Sequence, residues 1–206
     1  MNVWAIVPVK PFNRAKSRLA PVLSGEQREL LAERMFRHGL TVLTAIDKIA
    51  GVLVISRDTK ALSIARDYGA HTVQESGTPE LNPALARATE IIRLRDAEGA
   101  LILPADLPLY TSDDIAQLLH LGRYQQSVVI APDRADNGTN ALLLVPPTII
   151  PPSFGPGSFH RHYQLAEAAS ARIEVYRSAR LAVDIDTPDD LTFYQHILGE
   201  PLFQGL

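Results

Sequence analysis

Short apolar runs rich in β-branched residues alternate with longer amphipathic segments through the first two thirds of the chain. The apolar runs predict buried strands at residues 3–8, 51–56, 70–74 and 100–103, and the amphipathic segments between them predict helices. Strands and helices in this alternation form right-handed crossovers, which build a mostly parallel sheet covered by helices. The pattern therefore predicts a three-layer α/β/α fold.

Polar capping residues mark where the predicted helices begin. Ser24 and Gln27 fit a capping box for a helix that reaches about residue 43. Asn82 and Pro83 supply the N-cap and first-turn signals for a helix to about residue 96. Further helix starts are predicted at Asp58 for residues 59–67, at Thr111 or Ser112 for a helix to about residue 121, and at Thr187 with Pro188 for the final helix.

The alternation changes after the apolar run at residues 127–131. Short apolar runs at residues 127–131, 141–145, 173–176 and 181–185 are separated by loops rich in proline and glycine. Closely spaced strands of this kind are typical of antiparallel pairing. The sequence thus predicts an antiparallel extension of the sheet within a single domain, residues 1–206, since no internal repeat or linker divides the chain.

Composition narrows the class of protein. The chain has 206 residues, 46% of them hydrophobic, which is typical of a folded globular protein. Its formal net charge of −3 argues against a general nucleic-acid or membrane-surface binder, so any affinity for anions must be local. Without cysteine, the chain offers no disulfide, thiolate ligand or thiol nucleophile. The first apolar run is short and lacks a basic leader, and no apolar stretch approaches a membrane span, so a cytoplasmic protein without a signal peptide is expected.

The densest local charge follows the first predicted strand. Residues 7–19 read VPVKPFNRAKSRL and place Lys10, Arg14, Lys16 and Arg18 close together. Open α/β sheets bind ligands outside the carboxyl ends of their strands, and cations there suit the phosphates of a nucleotide. The loop contains no glycine and matches neither a P-loop nor a dinucleotide-binding fingerprint. It predicts a triphosphate site of another kind, with a solvated surface loop as the alternative.

Three carboxylates are candidates for a metal site. Asp106 follows the fourth predicted strand and is flanked by prolines in LPADLPL, which hold it rigidly. Mg²⁺ bound with nucleotide phosphates commonly uses one or two carboxylates. Asp184 and Asp186 are two apart, so on a strand they would project to one face. Either of them could complete a magnesium site with Asp106; the alternatives are a structural turn at Asp106 and support of the final helix by Asp186.

Two polar loops that contain glycine precede later elements. DNGTN at residues 136–140 precedes a strand, and FGPGS at residues 154–158 precedes a helix. Glycines beside a helix N-terminus expose backbone N–H groups that suit an anion, whereas a simple N-cap role for Ser158 is the alternative. His160, Arg161 and His162 are expected to add positive charge nearby. The spacing of the histidines does not suggest zinc.

The order of these motifs resembles one enzyme family. VPVKPFNRAKSRL, LNPAL, LPADLPL, DNGTNALLL, FGPGSF and VDIDTPDDL occur in the order of the 2-phospho-L-lactate guanylyltransferases, which include the phosphoenolpyruvate guanylyltransferases of coenzyme F-420 biosynthesis. The resemblance covers about residues 2–198. The wider nucleotidyltransferases with a GT-A-like fold, such as the molybdenum-cofactor guanylyltransferases, carry a glycine-rich first loop that this chain lacks. The resemblance therefore implies the GT-A-like, nucleotide-diphospho-sugar transferase fold and the narrower family.

The resemblance also implies a reaction: transfer of GMP from GTP to the phosphate of a three-carbon phospho-acid, with Mg²⁺ as cofactor and pyrophosphate as the second product. By motif, Lys10, Lys16 and Arg18 would contact the GTP phosphates and act in catalysis, with Ser17 beside them. The remaining assignments are Asp106 with Asp184 or Asp186 for Mg²⁺, Leu81, Asn82 and Pro83 for the nucleoside, and Thr139, Gly155 and Ser158, with Gly157 as a neighbour, for the acceptor.

The sequence leaves several alternatives open. Phosphoenolpyruvate and 2-phospho-L-lactate differ by one double bond, and phosphoenolpyruvate is favoured because the bacterial branch of the family uses it. A sugar-phosphate or cytidylyl nucleotidyltransferase of the same fold is a second interpretation. A non-catalytic nucleotide-binding domain is a third, against which Asp106 and the cation loop argue. No nucleic-acid or membrane partner is expected, and a homodimer is expected by resemblance alone.

Overall fold

The computed structural model describes residues 1–76 and 80–198, which form a seven-stranded sheet flanked by helices. The strands are β1 (Val3–Val9), β2 (Ile49–Ser56), β3 (His71–Gln74), β4 (Gly99–Ile102), β5 (Ser127–Pro132), β6 (Thr139–Val145) and β7 (Arg172–Val175). The helices are α1 (Gly25–Thr44), α2 (Thr59–Asp67), α3 (Leu81–Arg93), α4 (Ser112–Leu121), α5 (Ser158–Ala168) and α6 (Pro188–Leu198). Within this described part of the chain, no helix is both long enough and apolar enough to cross a membrane.

The strands lie in the order β3-β2-β1-β4-β6-β5-β7. β1 pairs in parallel with β2 and β4, and β2 pairs in parallel with β3, as the alternating pattern predicts. β6 runs antiparallel to β4 and β5, because it returns directly from β5 through a short loop. β7 is reached through α5 and pairs in parallel with β5. The predicted antiparallel extension is therefore limited to β6.

Alternate residues of β1 face opposite sides of the sheet. Its odd-numbered residues pack into one core with α1, α2 and α4, whereas Trp4 and Ile6 pack into a second core with α3 and α5. A third core, which includes Leu19, Leu31 and Ile185, joins the loop after β1, helix α1 and the segment before α6. The three-layer α/β/α fold predicted from the sequence is confirmed.

Most of the predicted helix starts are confirmed. Ser24 Oγ accepts a hydrogen bond from Gln27 N at 3.2 Å, and Ser24 N donates to Gln27 Oε1 at 2.9 Å, which completes the capping box of α1. Asp58 caps α2 by accepting from the Lys60 N–H at 2.9 Å. Of the two residues predicted to cap α4, Thr111 is the N-cap.

The start of α3 differs from the prediction. The N-cap is Glu80, so Asn82 lies inside the first turn and is not the N-cap. Its side chain binds another loop instead, since Nδ2 donates to the Phe154 carbonyl at 3.1 Å and Oδ1 accepts from Phe154 N at 2.7 Å. The amide therefore binds the backbone of a distant residue, and α3 has no side-chain capping bond at its start. The helix also ends at Arg93, a few residues before the predicted end.

The predicted strand at residues 181–185 is absent; this segment forms a turn followed by irregular chain. Its apolar residues Leu181, Val183 and Ile185 are nevertheless buried. Leu181 and Ile185 enter the cores, and the segment does not pair with a neighbouring strand of the described sheet. The apolar alternation therefore predicted the burial of this segment correctly and its hydrogen bonding wrongly.

Candidate active site

The candidate site lies where the parallel strands β1 and β4 end. Ile6 pairs with Ile102 in these strands, and the Leu103 N–H donates to the Ile6 carbonyl at 3.0 Å. The residues that follow the two strands therefore leave the sheet at the same edge, where open α/β sheets bind their ligands. This edge brings the basic loop after β1 next to the loop that carries Asp106.

Lys16 joins two of the three candidate carboxylates. Its Nζ lies 2.9 Å from Asp106 Oδ2 and 3.0 Å from Asp186 Oδ1. The Lys16 side chain is 4% exposed, whereas those of Asp106 and Asp186 are 37% and 45% exposed. Because a buried ammonium is strongly destabilising unless it is paired, the two carboxylates are what allows Lys16 to be buried.

The charges at this site shift the pKa values of its groups. Burial opposes the charge of Lys16, but Asp106 and Asp186 raise its pKa above the ordinary value, so the amine is protonated at neutral pH. Burial alone would raise the pKa of Asp106, yet the Lys16 ammonium, with a contribution from Lys10, lowers it. Burial and the charges of Asp106 and Asp186 raise the pKa of Asp184 to about 6. All three carboxyl groups therefore lie within electrostatic reach of one another.

Buried side chains on both sides of Lys16 hold the basic loop against the fold. Phe12 is buried, and its N–H donates to Asp58 Oδ2 at 2.8 Å. Leu19 is completely buried in the core that contains Ile185. Between them, Lys16 has a φ of 55°, in the left-handed region that is unfavourable for residues with a Cβ. The surrounding contacts stabilise a backbone conformation that would not persist by itself.

The other polar residues of this loop face solvent. Lys10, Arg14, Ser17 and Arg18 are exposed around the buried Lys16. The loop thus contains one buried cation that is bound to carboxylates and several exposed cations that a ligand can reach.

The Asp186 carboxylate is available to Lys16 because two other residues cap α6. The Thr187 N–H donates to Asp190 Oδ2 at 2.9 Å, and the Asp190 N–H donates to Thr187 Oγ1 at 3.3 Å. This reciprocal pair is a capping box, which confirms Thr187 as the residue that starts the final helix. The Asp186 side chain therefore serves Lys16 and not the helix start.

No three His, Cys, Asp or Glu side chains within residues 1–76 and 80–198 are grouped closely enough to hold a metal ion. Asp106 and Asp186 flank the Lys16 ammonium. Asp184 lines a concave pocket beside them, together with Asp133, Arg134, Ala135, Ala182, Val183 and Asp190. Two of the candidate metal ligands, Asp106 and Asp186, thus contact the same ammonium group, and the third, Asp184, lines the adjoining pocket.

A buried carboxylate fixes the segment that leads to Asp184. Asp114 Oδ1 accepts from Ser178 Oγ at 2.6 Å, and its Oδ2 accepts from Arg180 Nε at 2.6 Å. Asn140 Nδ2 donates to a backbone carbonyl of the same segment at 2.8 Å. These side-chain bonds replace the strand pairing that the sequence predicts, so the placement of the candidate metal ligands depends on them.

Replacing Asp114 with asparagine is expected to lower the free energy of unfolding by roughly 2 kcal/mol at pH 7, because a buried charged partner of Arg180 is lost. Burial would raise the pKa of Asp114, but bonds from Arg180, Ser178 and the Thr111 N–H lower it to about 2. A carboxyl group with a lowered pKa in the folded state stabilises the fold above its unfolded pKa, and this contribution disappears as the pH falls from about 4 to about 2. Urea unfolding followed by circular dichroism at several pH values measures both effects.

The exposed neighbour Asp113 provides the matched control for this measurement. Asp113→Asn should leave the free energy of unfolding within about 0.5 kcal/mol of the unmodified protein. Equal stabilities for Asp113→Asn and Asp114→Asn would contradict the assigned role of the buried carboxylate.

A second group of candidate residues surrounds the loop of residues 153–158. Asn82 binds both backbone groups of Phe154 and so ties α3 to this loop. Gly155 and Gly157 have φ values of 120° and 73°, which favour glycine. Arg161 Nη2 donates to a backbone carbonyl of the loop at 3.0 Å, which fastens the loop to α5. The nucleoside and acceptor candidates therefore belong to one connected unit.

At the start of α5, backbone N–H groups that the sequence suggests for an anion are already hydrogen-bonded within the protein. Gly157 is the N-cap, so Ser158 is the first helical residue and not the cap. The N–H groups of Ser158 and Phe159 donate to the carbonyls of Gly155 and Asn137 at 3.0 and 3.2 Å. Because these two N–H groups are satisfied within the protein, they are not free to bind an anion.

A buried histidine connects Thr139 to the same loop. His162 is 0% exposed; its Nδ1 lies 2.9 Å from Thr139 Oγ1, and its Nε2 accepts from the Ser153 N–H at 2.9 Å. Burial, with a contribution from Arg161, lowers the pKa of His162 to about 4. The ring is therefore neutral at pH 7 and adds no positive charge to this loop, in contrast to the expectation from the sequence.

The sequence interpretation did not identify the connecting roles of Asp114, Asn140 and His162. A usable signal exists for His162, which lies one helical turn after Ser158 on the inward face of an amphipathic helix. A polar residue on such a face must find buried hydrogen-bond partners, and this requirement would have identified His162 as a connecting residue. Asn140 carries no comparable local signal, because its partner lies 41 positions away. Asp114 has the local spacing of a capping box with Thr111, but nothing local indicates its distant partners Ser178 and Arg180.

Comparison with known proteins adds the family. The model of a family described as guanylyl transferase CofC like matches residues 3–198. The phosphoenolpyruvate guanylyltransferase of Rubrobacter xylanophilus is 42% identical over 191 residues, which cover 93% of this chain and 92% of that protein. The phosphoenolpyruvate guanylyltransferase of Sphaerobacter thermophilus is 39% identical, with 93% and 91% covered. The 2-phospho-L-lactate guanylyltransferase of Methanocaldococcus jannaschii is 34% identical over 192 residues, with 93% and 81% covered.

Solved structures resemble the fold at low sequence identity. A protein of Desulfovibrio desulfuricans G20, provisionally named a nucleotide-diphospho-sugar transferase, has a TM-score of 0.79 at 14% identity and covers 100% of this chain and 91% of its own. A CMP:2-keto-3-deoxy-manno-octonic acid synthetase complexed with CTP has a TM-score of 0.65 at 14% identity, with 97% and 99% covered. These likenesses confirm the nucleotide-diphospho-sugar transferase fold predicted from the resemblance.

Proposed function

The chain belongs to the family of CofC-like guanylyl transferases, and we propose that it transfers GMP from GTP to phosphoenolpyruvate. A phosphate oxygen of the acceptor attacks the α-phosphorus of GTP, and the bond from that phosphorus to the oxygen bridging the β-phosphate breaks. The products are enolpyruvyl-2-diphospho-5′-guanosine and pyrophosphate, as a step of coenzyme F-420 biosynthesis. Four relatives named phosphoenolpyruvate guanylyltransferase, at 36% to 42% identity, support this proposal.

The contact of Lys16 with Asp106 and Asp186 is the observation that carries the proposal. Three separate loops converge on this contact at the carboxyl edge of the sheet. Buried ion pairs contribute little to stability compared with well-packed apolar side chains, and a left-handed backbone at a lysine adds strain. Such a cluster is therefore more readily explained by chemistry on a bound nucleotide than by a non-catalytic scaffold.

Lys16 retains the capacity to contact a phosphate. An ammonium group has three donors, and Asp106 and Asp186 account for two of them. In the proposed complex the third would donate to a phosphate oxygen of GTP. The exposed Lys10 and Arg18, with the Ser17 hydroxyl, would contact the remaining phosphate oxygens and stabilise the charge that develops on the leaving pyrophosphate.

The carboxylates at this edge fit a magnesium ion. Asp106 Oδ2 and Asp186 Oδ1 already hold one compact cation, the Lys16 ammonium, at 2.9 and 3.0 Å. Both are oxygen donors of the type that Mg²⁺ prefers, and both side chains are partly exposed, which leaves room for water and phosphate ligands. We assign Asp106 and Asp186 as the ligands, with Asp184 beside them. Bound Mg²⁺ would neutralise charge on the α-phosphate.

The reaction requires no general base, because the phosphate of the acceptor is already ionised at pH 7. The task of the protein is to align the two substrates and to neutralise charge. Thr139, Gly155 and Ser158 would hold the acceptor. The connection from Asn82 to the loop of residues 153–158 supports a common pocket, because the nucleoside candidates Leu81, Asn82 and Pro83 then adjoin the acceptor candidates.

2-Phospho-L-lactate is the second candidate acceptor. Relatives named 2-phospho-L-lactate guanylyltransferase are 34% and 36% identical to this chain, compared with 42% and 39% for two relatives named for phosphoenolpyruvate. The higher identities favour phosphoenolpyruvate.

Pyrophosphate release tests the proposal. The purified protein is incubated with Mg²⁺, each of the four nucleoside triphosphates and either phospho-acid, in all pairings. Pyrophosphate should appear with GTP and phosphoenolpyruvate, and the guanylylated product should be identified by mass spectrometry. Reactions without acceptor provide the background for GTP hydrolysis.

Two results would contradict the proposal. Pyrophosphate with CTP and none with GTP would indicate a cytidylyltransferase of the same fold. No pyrophosphate in any pairing would favour a nucleotide-binding domain without this activity.

A further inference from the structure

Both ring nitrogens of His162 have partners, and these partners determine which nitrogen carries the hydrogen. The Ser153 N–H can only donate, so Nε2 at 2.9 Å must accept and has no hydrogen. A neutral imidazole has one N–H group, which must then be on Nδ1. Protonation of both nitrogens is disfavoured, since the ring is completely buried.

This tautomer determines the hydrogen bonding of Thr139. Its Oγ1 lies 2.9 Å from His162 Nδ1 and accepts the Nδ1 hydrogen. The hydrogen of the Thr139 hydroxyl must therefore point elsewhere. The contact with His162 is the side-chain hydrogen bond that the described part of the chain shows for Thr139. Thr139 consequently presents a donor, which suits an anionic oxygen of a substrate and not a donor group.

The environment keeps this arrangement rigid. Phe154 packs edge-on against the His162 ring, with 5.0 Å between ring centroids and 70° between ring planes. The N–H of Ser153, on the loop of residues 153–158, donates to Nε2 of the ring. His162 therefore links the backbone of Ser153 to the hydroxyl of Thr139, which lies 23 positions before the ring in the chain.

We infer that His162 is a positioning residue that fixes the Thr139 hydroxyl as a hydrogen-bond donor to the anionic oxygen of the acceptor phospho-acid. The inference rests on the proposed function for the identity of the acceptor, and it assigns His162 no contact with substrate. Its consequence is a selective one: loss of the Nδ1 hydrogen should weaken acceptor binding and leave GTP binding unchanged.

Two substitutions separate this role from a purely structural one. The asparagine side-chain amide lies near the position of Nδ1, so His162→Asn keeps a donor to Thr139 and loses the acceptor for Ser153. The longer glutamine side chain places its polar group near Nε2, so His162→Gln keeps the acceptor for Ser153 and loses the donor. Dissociation constants for phosphoenolpyruvate are measured by calorimetry in the presence of Mg²⁺ and the α,β-methylene analogue of GTP.

His162→Gln should weaken phosphoenolpyruvate binding about tenfold, whereas His162→Asn should stay within about threefold of the unmodified protein. In a Thr139→Val background, His162→Gln should have no further effect, because the hydroxyl that it positions is absent. The exposed His120 provides the control, and His120→Gln should leave the dissociation constant for phosphoenolpyruvate unchanged. Weaker binding in His162→Asn than in His162→Gln, or additive losses in the double variant, would overturn the inference.

The imidazole ¹⁵N chemical shifts of the unmodified protein give a readout that does not depend on variant folding. They should show His162 as the Nδ1–H tautomer at pH 7, and an Nε2–H tautomer or a charged ring would overturn the inference. The inference and the proposed function fail in different ways. A protein that binds phosphoenolpyruvate in a His162-dependent manner without pyrophosphate release supports the inference and contradicts the function, whereas one that binds neither phospho-acid overturns the inference.

Discussion

Asp106→Asn is expected to lower the turnover number of the proposed guanylyl transfer by about 10³-fold while the protein stays folded. The substitution removes the negative charge that we assign to Mg²⁺ and that pairs with Lys16 at 2.9 Å. The asparagine oxygen can still accept a hydrogen bond from the ammonium, so the site should retain its shape. Steady-state pyrophosphate release measures the loss, and thermal unfolding checks the fold.

The exposed Asp67 on α2 provides a matched control for the loss of one carboxylate. Asp67→Asn should leave both turnover and stability unchanged. A turnover number of Asp106→Asn within threefold of the unmodified enzyme would show that this carboxylate is a structural turn residue, the alternative that its position between two prolines leaves open.

Lys16→Met is expected to weaken GTP binding roughly 10- to 100-fold and acceptor binding far less. Methionine has a similar length and suits a buried position, so the change removes the charge and the three donors with little change in volume. The substitution also leaves Asp106 and Asp186 facing each other without their shared cation. The metal-free variant should therefore be less stable than the unmodified protein, and added Mg²⁺ should raise its melting temperature by a larger amount.

Calorimetry with the α,β-methylene analogue of GTP and with phosphoenolpyruvate separates the two binding effects. Thermal unfolding with and without Mg²⁺ measures the effect of the metal. Lys48→Met, at an exposed lysine outside the site, is the control and should behave as the unmodified protein. Stronger loss of acceptor binding than of GTP binding in Lys16→Met would mean that the two pockets are assigned the wrong way round.

The sequence predicted the layers and most element starts because these depend on neighbouring residues. The capping boxes at Ser24 and Thr187 involve residues three positions apart, and the alternation in β1 follows from the geometry of a strand. The predictions failed where distant residues compete for a local group. Asn82 carries a good N-cap side chain but binds Phe154, 72 positions away.

The candidate site was likewise predicted in part from local patterns and in part decided by distant contacts. By resemblance, motif order placed Lys16, Asp106 and either Asp184 or Asp186 in one site, and the position of the cation loop after β1 indicated the ligand edge independently. Neither argument distinguished the cations of that loop from one another. Which of them is buried depends on how Phe12 and Leu19 anchor the chain, and these anchors pack against α1, α2 and the segment before α6.

By itself, the sequence determined that this protein has an α/β sheet with helices on both faces and a cation-rich loop at the carboxyl edge of the parallel strands, and its motifs indicated the family. The periodicity of apolar residues and the chemistry of caps and loops are local, so they can be read without the fold. Only the tertiary structure decided that Lys16 bridges two carboxylates, that residues 181–185 are held by Asp114 and Asn140 and form no strand, and that His162 is neutral. Each of these depends on burial and on contacts across the chain, 90 and 170 positions in the case of Lys16, and no local pattern encodes them.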